Sequence, residues 1–151
     1  MMELFDTHCH LDTPDFEADL PAVLARMREA GVTRAAVIAY DAASLGHVVQ
    51  FAREHAGFIA AVGIHPEYAD QLDERVLSEI EVLLRAREVR AIGEIGLDLH
   101  DAKTPSLAVQ KRALLMQLEL AWQMRKPVCF HVRNAHPELL KLLRAHRSIL
   151  T

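Results

Sequence analysis

The sequence lacks any apolar run approaching the roughly 20 residues of a transmembrane helix, and its N-terminus lacks a basic region followed by an apolar core. We therefore expect no membrane association and no signal peptide. Cysteine is scarce: Cys9 and Cys129 lie in predicted strands beside histidines, which argues against a structural disulfide and favours a reducing, cytoplasmic location. The formal net charge of −4 provides no general attraction to nucleic acid, so any such contact must be local.

Buried apolar runs alternate with amphipathic helices along the chain. Its 151 residues, 51% hydrophobic and 25% charged, have the size and composition of one globular domain over 1–151. The first strand starts at Leu4, and further strands are predicted over 35–40, 58–64, 89–95 and 127–132. Helices are predicted over 19–31, 44–55, 73–84, 104–125 and 137–143, with Ser44, Asp73 and Thr104 as N-caps and Gly31 as a left-handed C-cap.

This alternation predicts an α/β fold: five βα units, short buried strands, and a parallel sheet with right-handed crossovers. A doubly wound sheet and a (β/α)8 TIM barrel both begin this way. A barrel normally needs about 250 residues, so the sequence corresponds to only the first five βα units of one, with a sixth strand starting at 148–151. An open five-stranded sheet is the alternative, although no glycine-rich phosphate loop follows the first strand.

An H-x-H pair ends the first strand. Because side chains alternate across a strand, His8 and His10 point to the same side, with Asp6 behind them. Two such histidines can bind one divalent ion. The pair alone is equally compatible with two polar histidines at a strand end. Other strand tips carry His65, Glu94, and His131 with Arg133. Since the tips of parallel strands converge, polar residues at four tips favour a metal site over isolated structural histidines.

Two histidines and a carboxylate would hold one ion, while the second oxygen of Glu94 reaches a neighbouring ion that His131 also binds. Two ions about 3.5–4 Å apart lower the pKa of a shared water and clamp the attacking and leaving oxygens of a displacement. Arg133 points the same way as His131 and either holds an anionic substrate oxygen or forms an ion pair at the rim. His65 either orients a phosphate or a ligand carboxylate, or is a turn histidine held by Pro66.

The remaining polar candidates have structural explanations beside functional ones. Asp98 either hydrogen-bonds a ligand histidine or caps the loop after Gly96. Cys9 is expected to face the helices as inert core, and Cys129, on the face of His131, is also expected in the core. The apolar stripe over 107–122 indicates helix packing, and the other histidines fall on helices or loops at the surface.

These residues, in this order and spacing, resemble the TatD family of metal-dependent deoxyribonucleases, which are related to the amidohydrolases. The matching segments are FDTHCHLD at 5–12, VGIHP at 62–66, AIGEIGLD at 91–98, QxxxLxxQLELA at 110–121 and KPVCFHVRN at 126–134. The resemblance implies a TIM-like barrel with two divalent ions (Mg²⁺, Mn²⁺ or Zn²⁺) that hydrolyses phosphodiester bonds in DNA, often from the 3′ end. It also implies that His8 and His10 are ligands of the first ion, Glu94 the bridge and His131 a ligand of the second.

The sequence departs from the family pattern in four places. The pattern continues with a histidine after strand six and an aspartate after strand eight, and this sequence ends before both. Leu99 stands where an aromatic residue is usual, and Asn134 where an acidic one is usual. Three hypotheses follow. The first is a TatD-like nuclease acting on DNA or another phosphodiester, and the second is a non-catalytic remnant or metal-binding module that oligomerises through exposed sheet edges. The third is an amidohydrolase-type enzyme acting on a small amide or phosphoester. The GEIGLD segment favours the nuclease.

Overall fold

The computed structural model describes residues 2–101 and 103–149. Strands and helices alternate as the sequence predicts. The strands are β1 Leu4–Cys9, β2 Val32–Ile38, β3 Phe58–Val62, β4 Val89–Asp98 and β5 Val128–Arg133. The helices are α1 Leu20–Glu29, α2 Ser44–Glu54, α3 Glu74–Leu83, α4 Leu107–Met124 and α5 His136–Ala145, with short 3₁₀ turns at Pro14–Phe16, Pro66–Gln71 and Arg147–Ile149. No helix in the described part of the chain is long and apolar enough to cross a membrane.

The five strands form one parallel sheet in which each strand pairs with the next along the chain, in the order β1-β2-β3-β4-β5. A doubly wound sheet would reverse this order at a switch point. The sheet also curls, because His8 on β1 and Cys129 on β5, from opposite edges of the sheet, approach within 3.7 Å. Sequential order and curl together confirm the prediction of a TIM-barrel-type α/β fold with five βα units.

The two faces of the sheet are packed differently. Side chains that point outward, such as Ala35 and Val37, join a large core shared with the helices. Side chains that point inward form a small cluster of Ala36, Ile38 and Ala61. This alternation follows from the two-residue period of a strand. The inner cluster is much smaller than the core between the sheet and the helices.

The first strand is exposed, although the sequence predicts a buried strand. Residues 4–8 of β1 are exposed, and Leu4 and Phe5 keep 41% and 42% of their surface. The reason is position in the sheet: β1 is an edge strand, with a neighbour on one side only. The apolar run that predicts a strand does not distinguish an edge from the middle of a sheet.

Two predicted helix caps are wrong. Ser44 is the first residue of α2 rather than its cap, and its hydroxyl instead accepts the backbone N–H groups of Tyr40 and Asp41, both at 3.0 Å. Thr104 does not cap α4, because its hydroxyl donates to a loop carbonyl, and Ser106 occupies the cap. In both turns the hydroxyl forms hydrogen bonds with backbone groups of the preceding loop instead of with the N–H groups of the first helical turn.

The predicted sixth strand is also wrong within the described residues. Ser148 and Ile149 lie in a 3₁₀ turn, closed by the Ile149 N–H donating to the His146 carbonyl at 3.1 Å. Ile149 packs against the main core, which holds the chain in this turn. Residues 150–151 lie outside the described part of the chain.

Candidate metal centre

Four of the predicted site residues meet at the carboxyl ends of the strands. His8 Nε2 lies 3.2 Å from Glu94 Oε2 and 3.3 Å from His10 Nε2, and His131 Nδ1 lies 3.0 Å from Glu94 Oε1. We call His8, His10 and Glu94 the first donor group, and His65, Glu94 and His131 the second. Within each group, one potential ligand atom per residue lies within 4.8 Å of the others. Glu94 belongs to both groups and turns a different oxygen to each.

The local backbone explains how Glu94 reaches this position. The pairing of β4 with β5 slips in register between Ile92 and Ile95, so Glu94 lies in an irregular stretch that re-aims its side chain. Glycines flank it on both sides. A Cβ at Gly96 would collide with the His131 carbonyl, and one at Gly93 would lie 2.6 Å from the Cys129 Cβ. The GEIG segment therefore allows β4 and β5 to approach closely on either side of the carboxylate.

The first donor group is open to solvent on one side. His10 donates from Nδ1 to the Ile38 carbonyl at 2.9 Å, which leaves the lone pair of Nε2 facing the group. His8 keeps 36% of its side-chain surface, and its Nδ1 contacts the Cys129 thiol at 3.7 Å. The predicted core position of Cys129 is therefore wrong, whereas Cys9 packs against the main core as expected.

In the second donor group, the His131 ring is held in place by two carboxylates. His131 lies between two carboxylates, with Nδ1 at 3.0 Å from Glu94 and Nε2 at 2.8 Å from Asp98. Its pKa is raised by the hydrogen bond to Glu94, and further by Asp98, against the opposing effect of burial. Burial favours the neutral form of Glu94, but the hydrogen bond to His131 and the nearby histidine charges outweigh it, so the pKa of Glu94 is lowered.

Asp98 combines the two functions that the sequence left as alternatives. One oxygen contacts His131, and the other accepts the His100 backbone N–H at 2.7 Å in the loop after β4. The carboxylate is almost fully buried, and these hydrogen bonds outweigh the effect of burial and keep its pKa below the usual value. Asp98 therefore fixes the ring of His131 and leaves Nδ1 turned toward Glu94.

His65 is buried and differs from the other histidines in charge. Burial, and then the charge of His131, lowers the pKa of His65 to about 4, so the ring is neutral at pH 7. Its Nδ1 accepts the Glu67 backbone N–H at 3.2 Å, so the proton of the neutral ring lies on Nε2. This tautomer donates a hydrogen bond from Nε2, which suits contact with an anionic oxygen better than metal ligation.

Arg133 lies outside both donor groups. Its side chain is exposed, and no carboxylate of the described residues lies within 4 Å of its guanidinium group. Its charge contributes to the lowered pKa of Asp98, its register partner on β4. The guanidinium group therefore lies in solvent at the rim of the site.

Two glutamines of α4 position the strand tips, a role that the helix-packing interpretation missed. Gln117 accepts the Ile64 N–H at 2.7 Å and donates to the Ile64 carbonyl at 3.2 Å. Gln110 makes the same pair of bonds to the Asp98 backbone, at 2.8 and 2.9 Å. Both amides are 1% exposed. The available signal was a pair of polar residues, seven positions apart, on the apolar side of the longest helix.

The chemistry of these donors fits divalent ions. Imidazole and carboxylate groups together suit Zn²⁺ and Mn²⁺, and Mg²⁺ where more oxygen ligands are available. The two Glu94 oxygens face different histidines, which is the arrangement that a carboxylate shared between two ions requires. His10, held by a backbone carbonyl, and His131, held by Asp98, have the partner on the second ring nitrogen that ligand histidines usually have.

Comparison with known proteins places this site in a family. Residues 5–149 match the family model described as TatD related DNase. An uncharacterized metal-dependent hydrolase of Bacillus subtilis, YabD, is 33% identical over 141 residues, covering 93% of this chain and 55% of that protein. A protein of Edwardsiella piscicida named 3'-5' ssDNA/RNA exonuclease TatD is 35% identical, covering 97% of this chain and 56% of its own length. The chain thus spans about half the length of the curated relatives it matches.

Solved structures agree with this assignment. The crystal structure of YjjV, a TatD homolog of Escherichia coli, superposes with a TM-score of 0.88 at 36% identity, over 95% of this chain and 56% of that one. A TatD-family hydrolase of Entamoeba histolytica superposes with a TM-score of 0.82 at 20% identity, over 95% of this chain and 54% of that one, which shows a shared fold. The chain belongs to the family of TatD-related DNases.

Proposed function

We propose that this chain carries the metal centre of a TatD-type hydrolase that cleaves phosphodiester bonds in DNA from the 3′ end, using two divalent ions. The observation that supports it most directly is the division of Glu94 between the two donor groups, with one oxygen toward His8 and the other toward His131. The name of the Edwardsiella relative, a 3'-5' ssDNA/RNA exonuclease, supports the substrate class.

Each site residue has a role in this proposal. Two bound ions would lower the pKa of a water held between them and stabilise charge on the attacking and leaving oxygens. His8 and His10 would hold the first ion and His131 the second, and Glu94 would supply a carboxylate oxygen to each. Asp98 keeps His131 oriented.

Substrate contacts complete the proposed mechanism. The neutral His65 donates from Nε2 to a phosphate oxygen, which its lowered pKa and its tautomer allow at pH 7. Arg133, exposed at the rim, contacts a second phosphate oxygen. With a net charge of −4, the chain attracts nucleic acid only through these local contacts and the ions. A cytoplasmic location remains a prediction.

We also propose that copies of the chain associate through the edges of the sheet. Leu4 and Phe5 on β1 and Phe130 on β5 are large apolar residues on the two edge strands, each about 40% exposed. Exposed strand edges with apolar side chains readily pair with another chain. Sedimentation velocity of the chain and of Phe130→Lys tests this: we expect dimers or larger species that the substitution dissociates, and a monomer at every concentration would contradict it.

The experiment for the proposed activity is hydrolysis of single-stranded DNA labelled at either end, with Mn²⁺ and after treatment with EDTA. We expect shortening from the 3′ end that needs the metal. The Glu94→Gln variant should be inactive, while Glu119→Gln, a matched change on the exposed side of α4, should act like the unsubstituted chain. Equal activity of the two variants, or no Mn²⁺-dependent shortening, would overturn the proposal.

A further inference from the structure

An open cleft of about 300 Å³ adjoins the donor groups. Its wall includes His10, His65 and Glu94, so it begins where a scissile ester would lie. This volume is at the lower limit of small-molecule pockets. The part of a substrate next to the reacting bond would therefore occupy this cleft, and the other wall residues decide what it accepts.

Both tyrosines of the chain line the cleft. Tyr40 follows β2 and Tyr68 lies in the 3₁₀ turn Pro66–Gln71, 28 residues apart in sequence. Their ring centroids are 5.9 Å apart with the planes tilted by 44°, and Tyr40 also meets the His10 ring edge-on at 5.8 Å. Both side chains are only half-buried. The pair therefore presents aromatic surface to the cleft directly beside the first donor group.

The backbone fixes these two rings relative to the site. The His65 N–H donates to the Tyr40 carbonyl at 2.8 Å, and the Tyr68 N–H donates to the His65 carbonyl at 2.9 Å. His65 thus connects both tyrosines through main-chain hydrogen bonds. An aromatic platform with this support needs little ordering when a ligand binds, which favours affinity.

The charge around the cleft is negative. Two carboxylates, Glu67 and Glu94, line it. An acidic wall disfavours a second phosphate group at this place. It accepts an uncharged flat group instead, and every nucleobase has an aromatic face that can stack on such rings.

We propose that Tyr40 and Tyr68 form a binding site for one nucleobase, that of the terminal nucleotide whose phosphodiester lies at the donor groups. This inference rests on the proposed function for the position of the ester, but base binding itself requires no metal. The acidic wall limits the site to a chain end, because a continuing strand would bring another phosphate into it. Thr13, also in the wall, lies within reach of the same ligand.

The test uses uncharged probes on the metal-free chain, so that neither the ions nor hydrolysis affects the result. We would titrate thymidine and 2-deoxyribose while following the tyrosine ring resonances by NMR. We expect saturable shifts with thymidine and none with 2-deoxyribose. Equal responses to the two probes would overturn the inference.

Substitutions locate the binding. Tyr40→Ala and Tyr68→Ala should each weaken thymidine binding roughly tenfold, the size expected for loss of one stacked aromatic ring, while Tyr40→Phe and Tyr68→Phe should retain it. Trp122→Ala, an exposed aromatic of α4 that does not line the cleft, is the matched control and should bind thymidine normally. Normal binding by both alanine variants would overturn the inference.

A second assay separates this inference from the proposed activity. In Mn²⁺, an oligonucleotide ending in thymidine should be shortened faster than one ending in an abasic sugar, and Tyr68→Ala should remove most of that difference. Absence of hydrolysis of both substrates would contradict the proposed function, while the thymidine titration would still decide the base site. Hydrolysis of both at the same rate would contradict the base site alone.

Discussion

The two donor groups share Glu94 but are supported differently. In the first group, His8 is on an exposed edge strand, and its ring contacts Glu94, His10 and the Cys129 thiol. In the second group, His131 is held between Glu94 and the buried Asp98. The glutamines of α4 support the second group further, because they hold the backbones of Asp98 and Ile64, next to His65.

This difference means that the second group is preformed, whereas the first group is ordered fully only when an ion binds. The geometry of the second group is maintained by charge and by buried hydrogen bonds, so we expect it to exist without metal. The first group keeps a fixed His10, whose Nδ1 donates to a backbone carbonyl, and a solvent-exposed His8. An ion bound there would order His8, whereas an ion at the second group would find Glu94 and His131 already in place.

The substitution with the largest expected effect removes what the groups share. Glu94→Gln replaces a carboxylate whose two oxygens face both groups with a neutral amide, and an amide is a poorer ligand at either position. We expect Mn²⁺ binding to weaken at both positions by more than the roughly 100-fold that loss of an outer contact can cost. Isothermal titration calorimetry measures this, with Glu119→Gln as control. Loss at one position only would show that Glu94 is not shared.

Substitution of one histidine at a time should separate the groups. His8→Ala should remove the first ion and leave the second, and His131→Ala should do the reverse. The expected calorimetric result is a fall from two ions to one in each variant. Because the second group is preformed, the ion that remains in His8→Ala should bind more tightly than the one that remains in His131→Ala. The reverse order of affinities would contradict the comparison.

Asp98→Asn tests the support of His131 without removing a donor. Loss of such a partner typically weakens metal binding 10–100-fold, and we expect this at the second position alone. In the metal-free variant the pKa of His131 should fall, since Asp98 is one of the two carboxylates that raise it. NMR titration of the His131 ring measures this shift, and an unchanged pKa would exclude the proposed contact.

The same pair gives stability a defined pH dependence in the metal-free chain. The folded-state pKa of His131 is above 6.5, so its pairing contributes stability that is full below that pH and is lost as the pH rises through the folded-state value. The pKa of Asp98 is below 3.8, so its contribution is lost as the pH falls through that lowered value. The difference in unfolding free energy between the unsubstituted chain and Asp98→Asn should therefore shrink as the pH rises through the folded-state pKa of His131.

The smallest expected effect on metal binding comes from the helix that supports the second group. Gln117→Leu leaves the buried N–H and carbonyl of Ile64 unpaired, which should lower the free energy of unfolding by about 1–3 kcal/mol. Metal binding at the second position should weaken less than in Asp98→Asn. Gln123→Leu, on the exposed part of the same helix, is the matched control in urea unfolding. Equal stability of the two variants would contradict the proposed support.

The sequence predicted which residues meet but not how they are held. His8, Glu94 and His131 could be placed together because parallel strands end at one edge of a sheet. The register slip that re-aims Glu94 depends on pairing between β4 and β5, which no local pattern reports. The bond from Gln117 to Ile64 joins residues 53 positions apart, so its partner is not visible in the helix sequence.

The most direct test of the central claim, that one carboxylate joins two metal positions, is calorimetric titration of the metal-free chain with Mn²⁺. We expect two bound ions per chain, reduced to one by either His8→Ala or His131→Ala. Both sites should be lost or greatly weakened in Glu94→Gln. Binding that all three substitutions leave unchanged, or no binding of Mn²⁺ at all, would contradict it.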